Sequence, residues 1–191
     1  MTLSFGEKTM LTRDAAFALV CQQNPEPNLI QHALASEAVM QALAVRLGED
    51  EALWALTGLV HDVDFPQTKE NPAQHGLLGA EILEGKLPAE AITAIRAHNS
   101  EYTGVAPQTR LDYALRAGET VTGLVSAAAL VRPAGMAGME AKSLKKKMKD
   151  KAFAASVNRD NIRECEKIGL SLDEFLTLSI AAMTAMESAQ N

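Results

Sequence analysis

The sequence predicts an all-α fold, on three observations. Only 4% of its 191 residues are aromatic, while Ala, Leu, Glu, Lys and Met are plentiful, which favours helices over sheets. Apolar residues recur at helical spacing in one segment after another, and no alternating run is long enough for a sheet. Helix start and stop signals punctuate the chain at regular intervals.

Thr12 caps a first helix running to about Gln23, closed by the Pro25/Pro27 pair. Asn28 opens a long helix with apolar positions Ile30, Leu34, Val39, Met40, Leu43 and Leu47, and Gly48 stops it. A third helix spans about Asp50 to Asp62 and carries Leu53, Trp54, Leu56, Leu59 and Val60, with Trp54 as a buried anchor and Pro66 limiting its continuation. Pro72 stands in the first turn of a helix ending at Gly85, and Pro88 before one ending near Asn99. After a loop at 105–108, a helix runs from Thr109 to Val131, and Pro133 ends it. Residues 134–140 form a Gly/Met/Ala loop, and 142–151 is strongly basic. Asp160 caps a helix to Ile168. Ser171 and Glu174 form a capping box ahead of Phe175, Leu178, Ile180 and Met183. There is no internal repeat, sustained heptad or Gly-rich phosphate loop.

A chain of this length forms one domain and needs no disulfide staples, since single cores commonly run to about 200 residues. The boundaries are 11–133 for the core and 134–189 for a lysine-rich segment and C-terminal helices packing on the same domain. The net charge of −6 argues against a nucleic-acid partner. Cys21 and Cys165 form no metal or redox motif and read as reduced packing residues. MTLSFGEKTM holds no apolar core of signal-peptide length, and no apolar run reaches about 18 residues. The expectation is a cytoplasmic protein with no membrane partner and an unspecified oligomeric state.

The four histidines, His32, His61, His75 and His98, each fall on or at the end of a different helix. One histidine alone reads most simply as a core or surface side chain satisfied by a carbonyl. His61-Asp62, however, ends the almost wholly apolar stretch LWALTGLV, where an ionised carboxylate is costly unless paired or bound to metal. Imidazole and carboxylate suit borderline ions, and a carboxylate with two oxygens can bridge two of them. Such groups on separate helices build one- or two-metal sites in bundle cores.

The order His32, His61-Asp62, His75, His98, then a carboxylate on the next helix, resembles the HD superfamily of metal-dependent hydrolases. The contexts GLVHDVDF, HGLLGAEIL and AIRAHN resemble it too. More narrowly, ALWALTGLVHDVDF, TGLVSAAALVRP, KSLKKKMKDKAFAASVNRDNIREC and EFLTLSIAAM resemble a bacterial group of predicted HD-superfamily hydrolases, from about Leu11 to Met186. The resemblance implies an HD-domain helical bundle with a C-terminal extension. It implies one or two divalent ions (Mn, Zn, Mg, Fe, Co or Ni), with His32, His61, Asp62 and Glu119 on the first. Asp62, the candidate catalytic residue, bridges to a second ion held by His75 and His98. The group carries an aspartate where this chain reads GETVTG, so Glu119 takes its place, with Asp112 two turns earlier as the alternative. Many nucleotide-cleaving relatives carry an acid where Phe65 stands, and Asp64, one residue short, points elsewhere.

The implied activity is phosphoester hydrolysis of a nucleotide or another small phosphorylated metabolite by metal-activated water. Two alternatives are a di-iron oxygenase of the same fold and a non-catalytic ligand-binding module. Lys146, Lys147, Lys151 and Arg159 are candidate substrate-binding residues at an anion-binding mouth, with Arg132 a weaker one; the same segment also reads as a solvated helix face. Tyr102 reads as a ring covering the core, with base stacking as the alternative.

Overall fold

A computed structural model describes residues 10–190, and no strand occurs among them. The segment MTLSFGEKTM lies, apart from Met10, outside the described residues. α1 (Arg13–Gln23) starts where Thr12 Oγ1 accepts the Ala15 N–H. α2 (Pro27–Leu47) begins at its proline, one residue before the expected Asn28, and closes on Gly48 in the left-handed region. Asp50 caps α3 (Glu51–Val60) by accepting the Leu53 N–H at 2.9 Å.

α3 lies hard against α2. A Cβ on Gly58 would stand 2.7 Å from the Ser36 carbonyl oxygen, so a side chain there would force the two helices apart. Val39, Met40 and Leu43 of α2 and Trp54, Leu56 and Leu59 of α3 are buried in the shared core, and truncating a leucine so placed costs about 2–5 kcal/mol.

The expected helix to Asp62 stops at Val60 instead. The chain turns there, with Val63 N bonded to Val60 O and Phe65 N to Asp62 O, and Pro66 sits inside the short α4 (Phe65–Thr68). The expected helix from Pro72 to Gly85 is broken into a 3-10 turn (Pro72–Gln74) and α5 (Leu77–Leu83). Gly76 causes the break: its φ of +85° is left-handed, and a Cβ there would lie 2.7 Å from Ile95 O.

α6 (Ala89–Ala97) and α7 (Ser100–Thr103) follow, then α8 (Arg110–Leu130), which opens with a Thr109/Asp112 capping box. α9 (Ala141–Met148) carries the basic run. α10 (Arg159–Arg163) is capped by Asn158, whose Oδ1 accepts the amides of Asp160 and Asn161, and not by Asp160. It passes into a 3-10 turn (Glu164–Ile168). Ser171 and Glu174 form the expected capping box ahead of α11 (Leu172–Gln190).

α2 and α8 form the centre, with α3, α6, α10 and α11 packed about them. Phe175, Leu176, Ile180 and Met183 of α11 belong to the same hydrophobic core as the α2 and α3 residues. Among the described residues no single helix is long and apolar enough to cross a membrane. Cys165 is buried, Cys21 partly so, and both are free thiols.

Candidate metal centre

Imidazoles from within α2, from the ends of α3 and α6 and from the 3-10 turn before α5 converge on one carboxylate. Asp62 Oδ1 lies 3.2 Å from His61 Nε2, 3.2 Å from His75 Nε2 and 3.4 Å from His98 Nε2. Its Oδ2 lies 3.5 Å from His32 Nε2. The His32 and His61 Nε2 atoms are 3.2 Å apart, and those of His75 and His98 3.1 Å apart. Two trios emerge, each able to hold a metal ion: His32, His61 and Asp62, and Asp62, His75 and His98.

Each Nδ1 is engaged behind the cluster, and the partner's chemistry fixes the tautomer. His61 Nδ1–H donates to the Gly58 carbonyl at 2.8 Å, and His98 Nδ1–H to the Ile95 carbonyl at 2.6 Å. His75 Nδ1–H donates to Asp64 Oδ1 at 3.1 Å. Thr122 spends its hydroxyl proton on the Glu119 carbonyl at 2.7 Å, so toward His32 it accepts, and His32 Nδ1–H donates at 2.9 Å. All four rings therefore turn Nε2 toward Asp62.

This donor set fits divalent cations. Donors bound at about 2.0–2.2 Å stand roughly 2.9–3.5 Å apart around one ion, and the separations within each trio match. Nδ1 bonds to carbonyls, a carboxylate and a hydroxyl are the outer support that metal-binding imidazoles take.

The electrostatics show how strongly the cluster attracts positive charge. Burial alone would raise the Asp62 carboxyl, yet His61 and the imidazole N–H bonds hold it well below the carboxylate range. Burial opposes a proton on His75, but Asp62 and Asp64 on either side of the ring overcome it and raise the pKa to about 10. His32 is raised too, burial being outweighed by Asp62 and Glu119. His61, fully buried, is lowered to about 3, chiefly by burial. In the metal-free protein the Nε2 atoms of each trio stand 3.1 or 3.2 Å from one another, and a proton and a metal ion compete for the same Nε2 atoms.

Glu119 stands at the rim. Its Oε2 is 3.9 Å from His32 Nε2, outside either trio, and Thr120 donates a hydroxyl hydrogen bond to its Oε1. Burial raises its pKa, against the pull of His32 and His98. Asp112, the alternative, is spent on the α8 N-terminus, where Oδ2 accepts the amides of Gln108 and Thr109. Seven residues along a helix is about 10 Å, which keeps it from the cluster.

The four expected anion-binding residues do not reach the cavity above the cluster. That cavity, about 690 Å³, is lined by His32, Asp62, His75, His98 and Glu119 together with Asn99, Glu101, Tyr102 and residues 156–158 and 161. Lys147 covers the Phe153 ring at 4.2 Å, and Lys151 lines a separate surface depression beside Arg163. Lys146 lies on α9, which packs against α8 and α11. Both Nη atoms of Arg159 donate to main-chain carbonyls of Asp150, Phe153, Ala154 and Val157, which holds its guanidinium away from the cavity lining. Arg132 likewise closes the turn after α8 through Gly135 and Ala137 carbonyls. Tyr102 does not cover the core: it is 63% exposed at the cavity rim.

Sequence reasoning missed the supporting residues. Asp64 is fully buried, accepting from His75 and from the Gly76 and Gly79 amides at 2.8 and 2.9 Å, so it caps α5 and fixes a ring at once. A Cβ on Gly79 would stand 3.2 Å from that carboxylate. The second acid of HDVD followed by HGLLG was the available signal. For Thr122 it was the helical spacing from Glu119.

A helical bundle that converges four imidazoles on a shared aspartate defines a class of metal-binding α-protein. The HD domain family model matches residues 29–131, more than half of the 191 residues, and the chain belongs to that family. No curated protein and no solved structure gives a match.

Proposed function

We propose that this protein is a metal-dependent phosphohydrolase acting on a nucleotide or another small phosphorylated metabolite. The observation that carries the reading is the convergence of four Nε2 atoms on the two oxygens of Asp62. Family membership supports it. So does a cavity of about 690 Å³, a size that suits a small molecule.

His32 and His61 would hold a first ion with Glu119 as its last ligand, His75 and His98 would hold a second, and Asp62 would be shared by both. Divalent ions bound there supply Lewis acidity toward phosphoryl oxygens and lower the pKa of bound water toward neutrality. The protein's own part is to present neutral Nε2 donors through fixed Nδ1 bonds and to keep one ionised carboxylate between the trios. Glu119, partly buried beside His32 and bonded to Thr120, would supply the last carboxylate of the first set.

The test is elemental analysis of protein purified without chelator, with phosphate release from a panel of nucleotides and sugar phosphates. The expected result is about two ions per chain, lost in Asp62→Ala together with phosphate release. Iron with oxygen consumption and no phosphate release would replace this reading by an oxygenase. No retained ion of any kind would leave a ligand-binding module.

A further inference from the structure

The cavity wall facing the metal centre carries no cation. Among the described residues, no lysine or arginine lines it. The Arg116 guanidinium, bonded to Asn161 of the cavity lining, is 3% exposed and its donors are all taken. Nε donates to Glu164 at 2.7 Å, and Nη1 to the Ala97 and His98 carbonyls, Ser100 Oγ and Glu101. Nη2 donates to Glu101 at 2.7 Å and to Asn161 Oδ1 at 2.9 Å.

That last bond fixes an amide. Arg116 only donates, so Asn161 must offer it Oδ1, and a flipped amide would set N–H against N–H. Asn161 is 8% exposed and lines the cavity, so its Nδ2 is the edge left for a ligand. The neighbouring Asn158 is turned the same way, because its Oδ1 caps the amides of Asp160 and Asn161. Asn99, which also lines the cavity, is turned the opposite way: its Nδ2 donates to the Pro72 and His75 carbonyls, leaving Oδ1. The lining therefore has fixed amide polarity, two side-chain donors and one side-chain acceptor.

A second phosphate or a carboxylate would find no charge to pair with on this wall. A neutral body with hydroxyl or carbonyl acceptors would find Nδ2 donors already oriented. Resting on the phosphohydrolase reading, we propose that Asn161 is a specificity-determining residue that donates through Nδ2 to the neutral body of a phosphomonoester. Arg116 is its positioning residue. The substrate class is then a monophosphate of a hydroxyl- or carbonyl-rich body, such as a sugar or nucleoside, and not a polyphosphate.

The test measures equilibrium binding by calorimetry to manganese-loaded protein. The probes are inorganic phosphate, ribose 5-phosphonate, and purine and pyrimidine ribonucleoside 5′-phosphonates, none of which is hydrolysed. The wild type should bind the tightest phosphonate better than inorganic phosphate. In Asn161→Ala that preference should shrink about tenfold, as for one lost hydrogen bond in a buried site, with phosphate affinity and metal content unchanged. Asn161→Asp keeps an acceptor for Arg116, guarding against misfolding, and should shrink the preference at least as far. No preference in the wild type, a preference unchanged in both variants, or equal weakening of phosphate and phosphonate would overturn the assignment. Failure of the hydrolase reading is distinct: the corresponding esters would release no phosphate while the Asn161-dependent preference persisted.

Discussion

His61 and His98 are held by main chain, and His32 and His75 by side chains. The first two sit at the C-termini of α3 and α6, each bonded to the carbonyl three residues back. The others lean on Thr122 and Asp64, which come from distant parts of the chain. Each trio takes one of each kind. The main-chain pair is the less exposed, with side-chain accessibilities of 0% and 5% against 26% and 15%. The lesson is that half of this site comes with the helices that end there, while the other half depends on tertiary packing and can be loosened by substitution without touching a ligand.

The largest effect that separates the two kinds comes from the outer partners. Asp64→Ala should weaken the His75/His98 ion by about 10–100-fold, and Thr122→Val the His32/His61 ion by a similar factor, since loss of such support typically costs that much. Competition with a chelator, one ion at a time, reads both. Equal weakening of both ions by either substitution would mean that the trios are not separable.

A smaller effect is in the pH dependence of the metal-free protein. His75 is raised to about 10 from 6.5. Its protonation stabilises the fold fully below the unfolded value, and that contribution is lost as pH rises from roughly 6.5 through 10. His61, lowered to about 3, has the opposite sign: below roughly 6.5 the unfolded chain takes up a proton that the folded one refuses, so stability falls with pH. Urea midpoints of His75→Gln should therefore be flatter than wild type on the alkaline side, and those of His61→Gln flatter on the acid side.

Much of this was legible in the sequence. Thr12, Gly48, Asp50, Thr109 and the Ser171/Glu174 pair act on amides or carbonyls within four residues, so local chemistry places them. The four histidines and Asp62 could be grouped because the resemblance supplied their order. Asp64, Thr122 and Arg116 could not, because their partners lie 11, 90 and up to 48 residues away. The lysines misled for a related reason: charge density marks a surface, but whether that surface borders the cavity depends on how α9 lies against α8 and α11.

The smallest effect tests that correction. Lys146→Ala, Lys147→Ala and Lys151→Ala should each leave turnover within about twofold at moderate salt, because exposed charges away from a site are largely screened. A tenfold fall in kcat/KM for any of them would return the lysine segment to the cavity mouth.

The ligands also span the chain. His32 and His98 stand 66 positions apart, on α2 and at the end of α6, with Asp62 between them touching both. Ions held through Asp62 would tie these segments together as a set of cross-links, and a cross-link that closes a long loop removes freedom mainly from the unfolded chain. Filling the site would then add to the stability of a bundle that already has a hydrophobic core, so the supply of metal would raise the share of this chain that survives folded.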